Sequence, residues 1–155
     1  MSLIDQALKF LARREYSEKE LARKLHMQYP NQDTEIKEVL EKLKAQTYLN
    51  NQRFLESRIR HRLAQGYGSQ RIILELTQVH GLDRPEIVEV LKQHAPNEGS
   101  SLEDLIRKKI KHLKLEDPKA RTRVIAYCLA RGFLLSEIKA ALHAVSAQVD
   151  CDSLD

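Results

Sequence analysis

Apolar residues recur along this chain at three- and four-residue spacing, in short bursts separated by Gly, Pro, Asn and capping residues. Such spacing puts one face of a helix into a core. Leu3, Ala7, Leu8 and Leu11 mark a first helix that stops near Glu15. Ser17 with Glu20 forms the pattern of a capping box and opens a second helix, with Leu21, Ala22 and Leu25 facing inward. Pro30 and Asn31 break it. A third helix buries Ile36, Val39, Leu40 and Leu43 and ends at the Tyr48–Asn51 turn.

The same grammar continues beyond Asn50 and Asn51. Phe54, Leu55, Ile59 and Leu63 line a helix broken at Gly66; Ile72, Ile73, Leu76 and Val79 line the next, ended by Gly81. Asp83, Pro85 and Glu86 open a third that carries Ile87, Val90 and Leu91. His94–Ser101, where Pro, Asn, Gly and Ser cluster, reads as a hinge. After it, Leu102, Leu105, Ile106 and Ile110 mark one helix, Asp117-Pro118 opens another with Val124, Ile125 and Leu129, and Gly132 breaks that one. Leu135, Ile138, Leu142 and Val145 complete the last. No segment sustains period-two alternation, so no sheet is expected. The prediction is an all-α chain of nine helices in three triplets. The units span 1–49, 50–95 and 101–148, with a hinge at 94–101 and an acidic tail at 149–155.

A phrase is written three times between helices: ARREYSEKEL at Ala12–Leu21, AQGYGSQRI at Ala64–Ile72, and ARGFLLSEI at Ala130–Ile138. In each, an aromatic residue (Tyr16, Tyr67, Phe133) is followed five positions later by an aliphatic one (Leu21, Ile72, Ile138). Recurrence of this kind points to an array of small helical units, which present surface rather than chemistry. The register is imperfect, because the phrase joins the first and second helices in two triplets and the second and third in the last. Tyr16, Tyr67, Tyr48 and Phe133 are read as plugs for corners between helices rather than as exposed anchors. Phe54 and Leu55 are read as core.

Composition narrows the function classes. The chain has 155 residues, 42% hydrophobic and 31% charged, enough for about one ordinary core divided among units that lean on their neighbours. Aromatic residues make up only 5% and Trp is absent, which leaves few stacking platforms for single strands. No apolar run is long enough to span a bilayer, the amino terminus lacks a secretory pattern, and Cys128 and Cys151 show no framework spacing. A cytoplasmic monomer with free thiols is expected.

The net charge is +4, from 26 Lys and Arg against 22 Asp and Glu, and its distribution is uneven. Between Arg107 and Arg131 stand nine basic residues against only Glu116 and Asp117, a one-signed stretch suited to phosphates or an acidic protein surface. Arg53, Arg58, Arg60 and Arg62 form a second row. The candidate contacts are therefore Arg53, Arg58, Arg60, Arg62, Lys108, Lys111, Lys114, Arg121, Arg123 and Arg131. A solvated helical face explains such charges as well, and no recognition helix for reading bases stands out.

Catalytic signals are weak. There is no phosphate loop with a following Lys-Ser or Lys-Thr, and GYG at Gly66–Gly68 only permits a tight turn. His61, His80, His94, His112 and His143 show no ligand spacing, and the two cysteines do not make half a zinc site. No catalytic residue, metal or cofactor is expected.

The segment TYLNNQRFLESRIRHRLAQGYGSQRIILELTQVHGL, Thr47–Leu82, closely resembles the central signature of the RecX family, bacterial regulators of the RecA recombinase. Tyr48, Arg53, Phe54, Arg58, Gly66, Gly68 and Ile72 fall on that signature. The resemblance extends to Ala7–Leu25 and to Arg121–Ile138, where Arg131, Gly132 and Phe133 are kept but Leu134 replaces a glycine. Asn50 and Asn51 stand where the family commonly has Asp. Tyr16, Tyr48, Phe54, Gly66, Tyr67, Gly68, Ile72, Gly132 and Phe133 are taken as the structural signature. The resemblance implies three tandem three-helix bundles in an elongated curved array. It also implies a non-enzymatic regulator lying on the RecA–single-stranded DNA filament, inhibiting ATP hydrolysis, filament growth and strand exchange in homologous recombination, DNA repair and the SOS response. DNA would be met through the filament, with weak direct contact. The alternative is a helical DNA-associated adaptor for another protein partner.

Overall fold

The computed structural model describes residues 1–94, 98–111 and 116–152. These contain nine helices and no strand: α1 (Leu3–Arg13), α2 (Glu18–Gln28), α3 (Asp33–Ala45), α4 (Asn51–Ala64), α5 (Ser69–Gln78), α6 (Arg84–His94), α7 (Glu98–Ile110), α8 (Pro118–Ala130) and α9 (Leu135–Asp152). Within the segment read as a hinge, His94 closes α6 and Glu98–Ser101 opens α7, while residues 95–97 lie outside the described residues. Lys114, His112 and the last three residues of the acidic tail lie outside them too, and α9 runs on through Asp152.

Local chemistry explains the boundaries. Ser2 and Asp5 form a complete capping box at α1. Ser17 caps α2, its Oγ accepting from the Glu20 N–H at 3.2 Å. The expected reciprocal half of that box does not form, because the Glu20 carboxylate takes two hydrogen bonds from Arg14, at 2.6 and 3.2 Å. Asn50 Oδ1 accepts from the N–H groups of Gln52 and Arg53, and Asn51 Oδ1 from that of Glu18. Asn in place of Asp therefore still satisfies the free N–H groups of two helices. Asp117 caps α8, with Pro118 in its first turn.

The chain packs as two compact units, residues 1–60 with 75–90, and residues 61–74 with 91–155. In the first, α1, α2 and α3 pack on one another around Ala7, Tyr16, Leu21, Leu25, Ile36, Leu40, Leu43 and Leu49. Phe54, Leu55, Ile59, Leu76 and Ile87 of the same unit are also buried. In the second, α7, α8 and α9 close around Leu102, Ile106, Val124, Cys128, Phe133, Ile138, Leu142 and Val145. Thus the helices that follow one another as the middle triplet contribute residues to both units.

Three apolar positions expected inside are exposed: Val79, Leu129 and Leu135. Each reflects the phase of a helix stripe. Ile72 and Leu76 are continued four residues on by His80, which is buried, and not by Val79. Ala120 and Val124 are continued by Cys128 and not by Leu129. Leu135 is the first residue of α9, one turn before its buried stripe begins at Ile138.

Candidate functional site

Two clusters hold most of the polar chemistry, one in each unit. In the first unit the α1–α2 corner is closed by Tyr16, which is buried as expected. Its ring is tilted against Phe10, and the Arg14 guanidinium lies 3.8 Å from its centroid. Lys24 donates to its hydroxyl at 3.1 Å. Beside it the buried Ser17 hydroxyl lies 2.8 Å from His80 Nδ1, and the His80 ring packs 4.6 Å from that of Phe54. Glu20 Oε2 stands 3.9 Å from the same nitrogen.

Serine, histidine and glutamate together invite comparison with a hydrolytic triad, and the geometry rejects it. A relay needs the serine on one ring nitrogen and the carboxylate on the other, whereas both face Nδ1. Ser17 Oγ is also occupied as a helix cap and is fully buried. Burial holds the His80 imidazole below its ordinary pKa; Glu20 opposes this and Arg58 adds to it. Burial would raise the Glu20 carboxyl, but Arg14, through hydrogen bonds and charge, outweighs it and holds that group below its usual value. A buried His80 hydrogen-bonded to Ser17 is a structural strut.

The second unit carries the basic cluster. Tyr67, half-buried, is ringed by the guanidinium groups of Arg71 at 4.5 Å, Arg131 at 4.6 Å and Arg62 at 5.6 Å from its centroid. Arg131 Nε also donates to the Tyr127 hydroxyl at 3.3 Å, and Lys109 Nζ sits 4.5 Å from the Tyr127 centroid. Cations over aromatic faces are held in place while keeping their charge. The cluster is made possible by two glycine turns that meet backbone to backbone. The Gly68 N–H donates to the Arg131 carbonyl at 2.6 Å, and the Gln70 N–H to that of Gly132 at 3.0 Å. A Cβ at Gly68 would sit 2.5 Å from the carbonyl carbon and oxygen of Gly132. Gly132, at φ +97°, faces Arg71 just as closely.

The remaining candidates divide. Arg53 is tied to Glu15 at 3.1 Å and to the Tyr48 carbonyl, so it braces the first unit. Tyr48 itself is 54% exposed and fills no corner. Arg58 lies over Phe54, and Arg60 bonds the carbonyl one turn back in α4. Lys108, Lys111, Arg121 and Arg123 are exposed, and Lys108 shares the lining of a cavity with Arg131. Phe54, Ile72 and Phe133 are buried and Gly66 takes φ +85°, in keeping with structural roles. Arg71, Lys109 and Tyr127 were missed as site residues. The signal for Arg71 was its place four residues after Tyr67, inside the repeated phrase.

Among the described residues no group of His, Cys, Asp and Glu is arranged to hold a metal, and no helix is long and apolar enough to cross a membrane. Fold and surface together define an all-α protein of tandem three-helix domains. Comparison with known proteins gives the family. Residues 4–43 match the family described as RecX, first three-helix domain. The regulatory protein RecX of Pseudomonas putida is 36% identical over 132 residues, 85% of this chain and 83% of its own length. That of Herminiimonas arsenicoxydans is 31% identical over 97% of both chains. The crystal structure of RecX from Lactobacillus salivarius superposes with a TM-score of 0.78 at 20% identity, covering 94% of this chain and 95% of the other, and so shares the fold. The chain belongs to the RecX family of regulatory proteins.

Proposed function

We propose that this protein is a non-enzymatic, monomeric, cytoplasmic regulator that binds the RecA filament on single-stranded DNA and restrains its ATP hydrolysis, growth and strand exchange. The observation that carries the proposal is the 36% identity to a regulatory protein RecX across 85% of the chain. The chemistry suits the role. Arg62, Arg131 and Lys108, joined by Arg71 and Lys109, gather in one unit. Lys111, Arg121 and Arg123 add exposed charge, which draws the protein toward phosphates and acidic surfaces.

In this reading the three triplets, 1–49, 50–95 and 101–148, act as successive contact modules. Contacts to several filament subunits at once raise the effective affinity for filament over free recombinase. The test is binding of the protein to labelled single-stranded DNA, bare and coated with RecA, at fixed salt. Preference for the coated strand is expected, and Lys108→Glu with Lys111→Glu should weaken it while helicity stays unchanged. Equal binding to bare and coated strand would move the protein to the DNA-associated adaptor class. Unchanged filament affinity in the charge-reversed variant would sink that placement of the contact face.

A further inference from the structure

The second unit carries an open hollow of about 590 Å³ against the end of α4, the second half of α7 and the end of α8, within the size range of small-molecule sites. Its lining is chemically sorted. Leu63 and Leu105 form an aliphatic wall, and Lys108, Lys109 and Arg131 bring three cations to the same hollow. Tyr127 fixes two of them: Lys109 lies 4.5 Å and Arg131 5.5 Å from its ring centroid, and Arg131 Nε bonds its hydroxyl. Ring contacts of this kind orient a cation without neutralising it.

Counter-charge is scarce. Asp104 is the one carboxylate in the lining among the described residues, and Arg107 already holds it at 3.1 Å. Among the described residues no carboxylate lies within ion-pair distance of Lys108, Lys109 or Arg131. Three like charges around one hollow repel, and a ligand that brings several negative charges at once removes that cost. A lone carboxylate would engage one cation. A chain of phosphates can engage all three, while an attached sugar and base cover the leucine wall.

We propose that this cavity binds the polyphosphate of a free nucleotide, with Lys108, Lys109 and Arg131 as its phosphate partners and Leu63 and Leu105 against the nucleoside. A nucleic-acid strand shares the phosphate chemistry but presents single-charged diesters in a row, and the test separates the two sources. The site shares Lys108 and Arg131 with the proposed filament contact, but the experiment contains no recombinase, so the two readings can fail separately.

The experiment is calorimetric titration of the full chain with ATP, with sodium tripolyphosphate, and with a short oligothymidylate lacking terminal phosphates, all at one ionic strength. ATP and tripolyphosphate should each saturate at one per chain, ATP the tighter. Lys108→Gln with Lys109→Gln should weaken both by about tenfold or more, the scale of a lost charge-assisted contact. Ala64→Trp, placed at an exposed lining position, leaves every charge in place and should weaken ATP comparably by filling the mouth. If the lysine variant loses helicity, Ala64→Trp decides. ATP affinity unmoved by Ala64→Trp would overturn the proposal, as would saturation by the oligothymidylate alone.

Discussion

The α1–α2 corner and the paired corners at α4–α5 and α8–α9 carry versions of one sequence phrase, yet they close by different physics. At the first, side chains fill the space: Tyr16 is buried, Ser17 caps α2 and reaches the buried His80, and Glu20 is held by Arg14. At the other two, a main-chain contact between the turns is added to the aromatic residue, half-buried Tyr67 in one and buried Phe133 in the other. Gly68 and Gly132 approach so closely that main-chain hydrogen bonds run between the turns. The aromatic and aliphatic positions of the phrase specify that two helices meet. What fills the corner depends on whether glycine or serine stands beside the aromatic residue. A glycine corner lets two turns touch and collects Arg62, Arg71 and Arg131 around Tyr67.

The sharpest way to break this difference is Gly68→Ala. The added methyl would meet the Gly132 carbonyl at 2.5 Å, and rigid backbone on both sides leaves no cheap escape. A loss of about 3 kcal/mol or more is expected, from overpacking and the two broken hydrogen bonds, read as the midpoint of chemical unfolding. Gly132→Ala adds left-handed backbone strain to a similar clash and should cost at least as much.

At the serine corner a smaller and different effect is expected. His80→Leu removes the partner of the Ser17 hydroxyl and should cost about 1–3 kcal/mol. Ser17→Ala should cost about 1 kcal/mol through the cap. Because both act on one hydrogen bond, the double variant should fall short of their sum, and a double-mutant cycle measures the shortfall. Strict additivity would mean that the Ser17–His80 contact carries no weight.

The same corner gives the fold a pH dependence. His80 has a depressed pKa when folded, chiefly through burial. Below the ordinary histidine pKa of about 6.5 the unfolded chain therefore binds a proton that the folded chain resists. Stability is complete above that pH and declines as pH falls through it toward the folded value. Glu20, also depressed, removes more as pH drops below the ordinary range for glutamate. Thermal unfolding from pH 8 to pH 5 should show the histidine decline in the native sequence and a flatter profile in His80→Leu. Equal profiles would contradict the buried neutral imidazole.

Arg71→Ala is expected to be the mildest of the set, about 1 kcal/mol, for one hydrogen bond to the Ala130 carbonyl and one aromatic contact. Helicity and unfolding midpoint together should show a folded protein with one less cation beside Tyr67.

Much of the fold was legible because the helix boundaries are written locally. Ser17, Asn50, Asp117-Pro118 and the glycines at 66, 81 and 132 each act within a turn of their own position. Helix phase was less legible near the ends of stripes. There an offset of one residue separates Val79 from His80 and Leu129 from Cys128, and three-residue and four-residue spacing predict both. The site was least legible. Ser17 and His80 stand 63 residues apart in sequence, and Arg71 meets the Ala130 carbonyl across 59. Arg53 shows the converse. It reads as one of a basic row, but Glu15 takes its charge, and nothing in the spacing of α4 announces that partner.

The most direct test of the central claim is ATP hydrolysis by the cognate RecA filament on single-stranded DNA, followed while this protein is titrated in at fixed salt. The account predicts a fall in rate. A fall at substoichiometric protein would place its action at filament growth, and a fall near saturation would place it along the filament. An unchanged rate from a fully helical sample would contradict the proposed regulation.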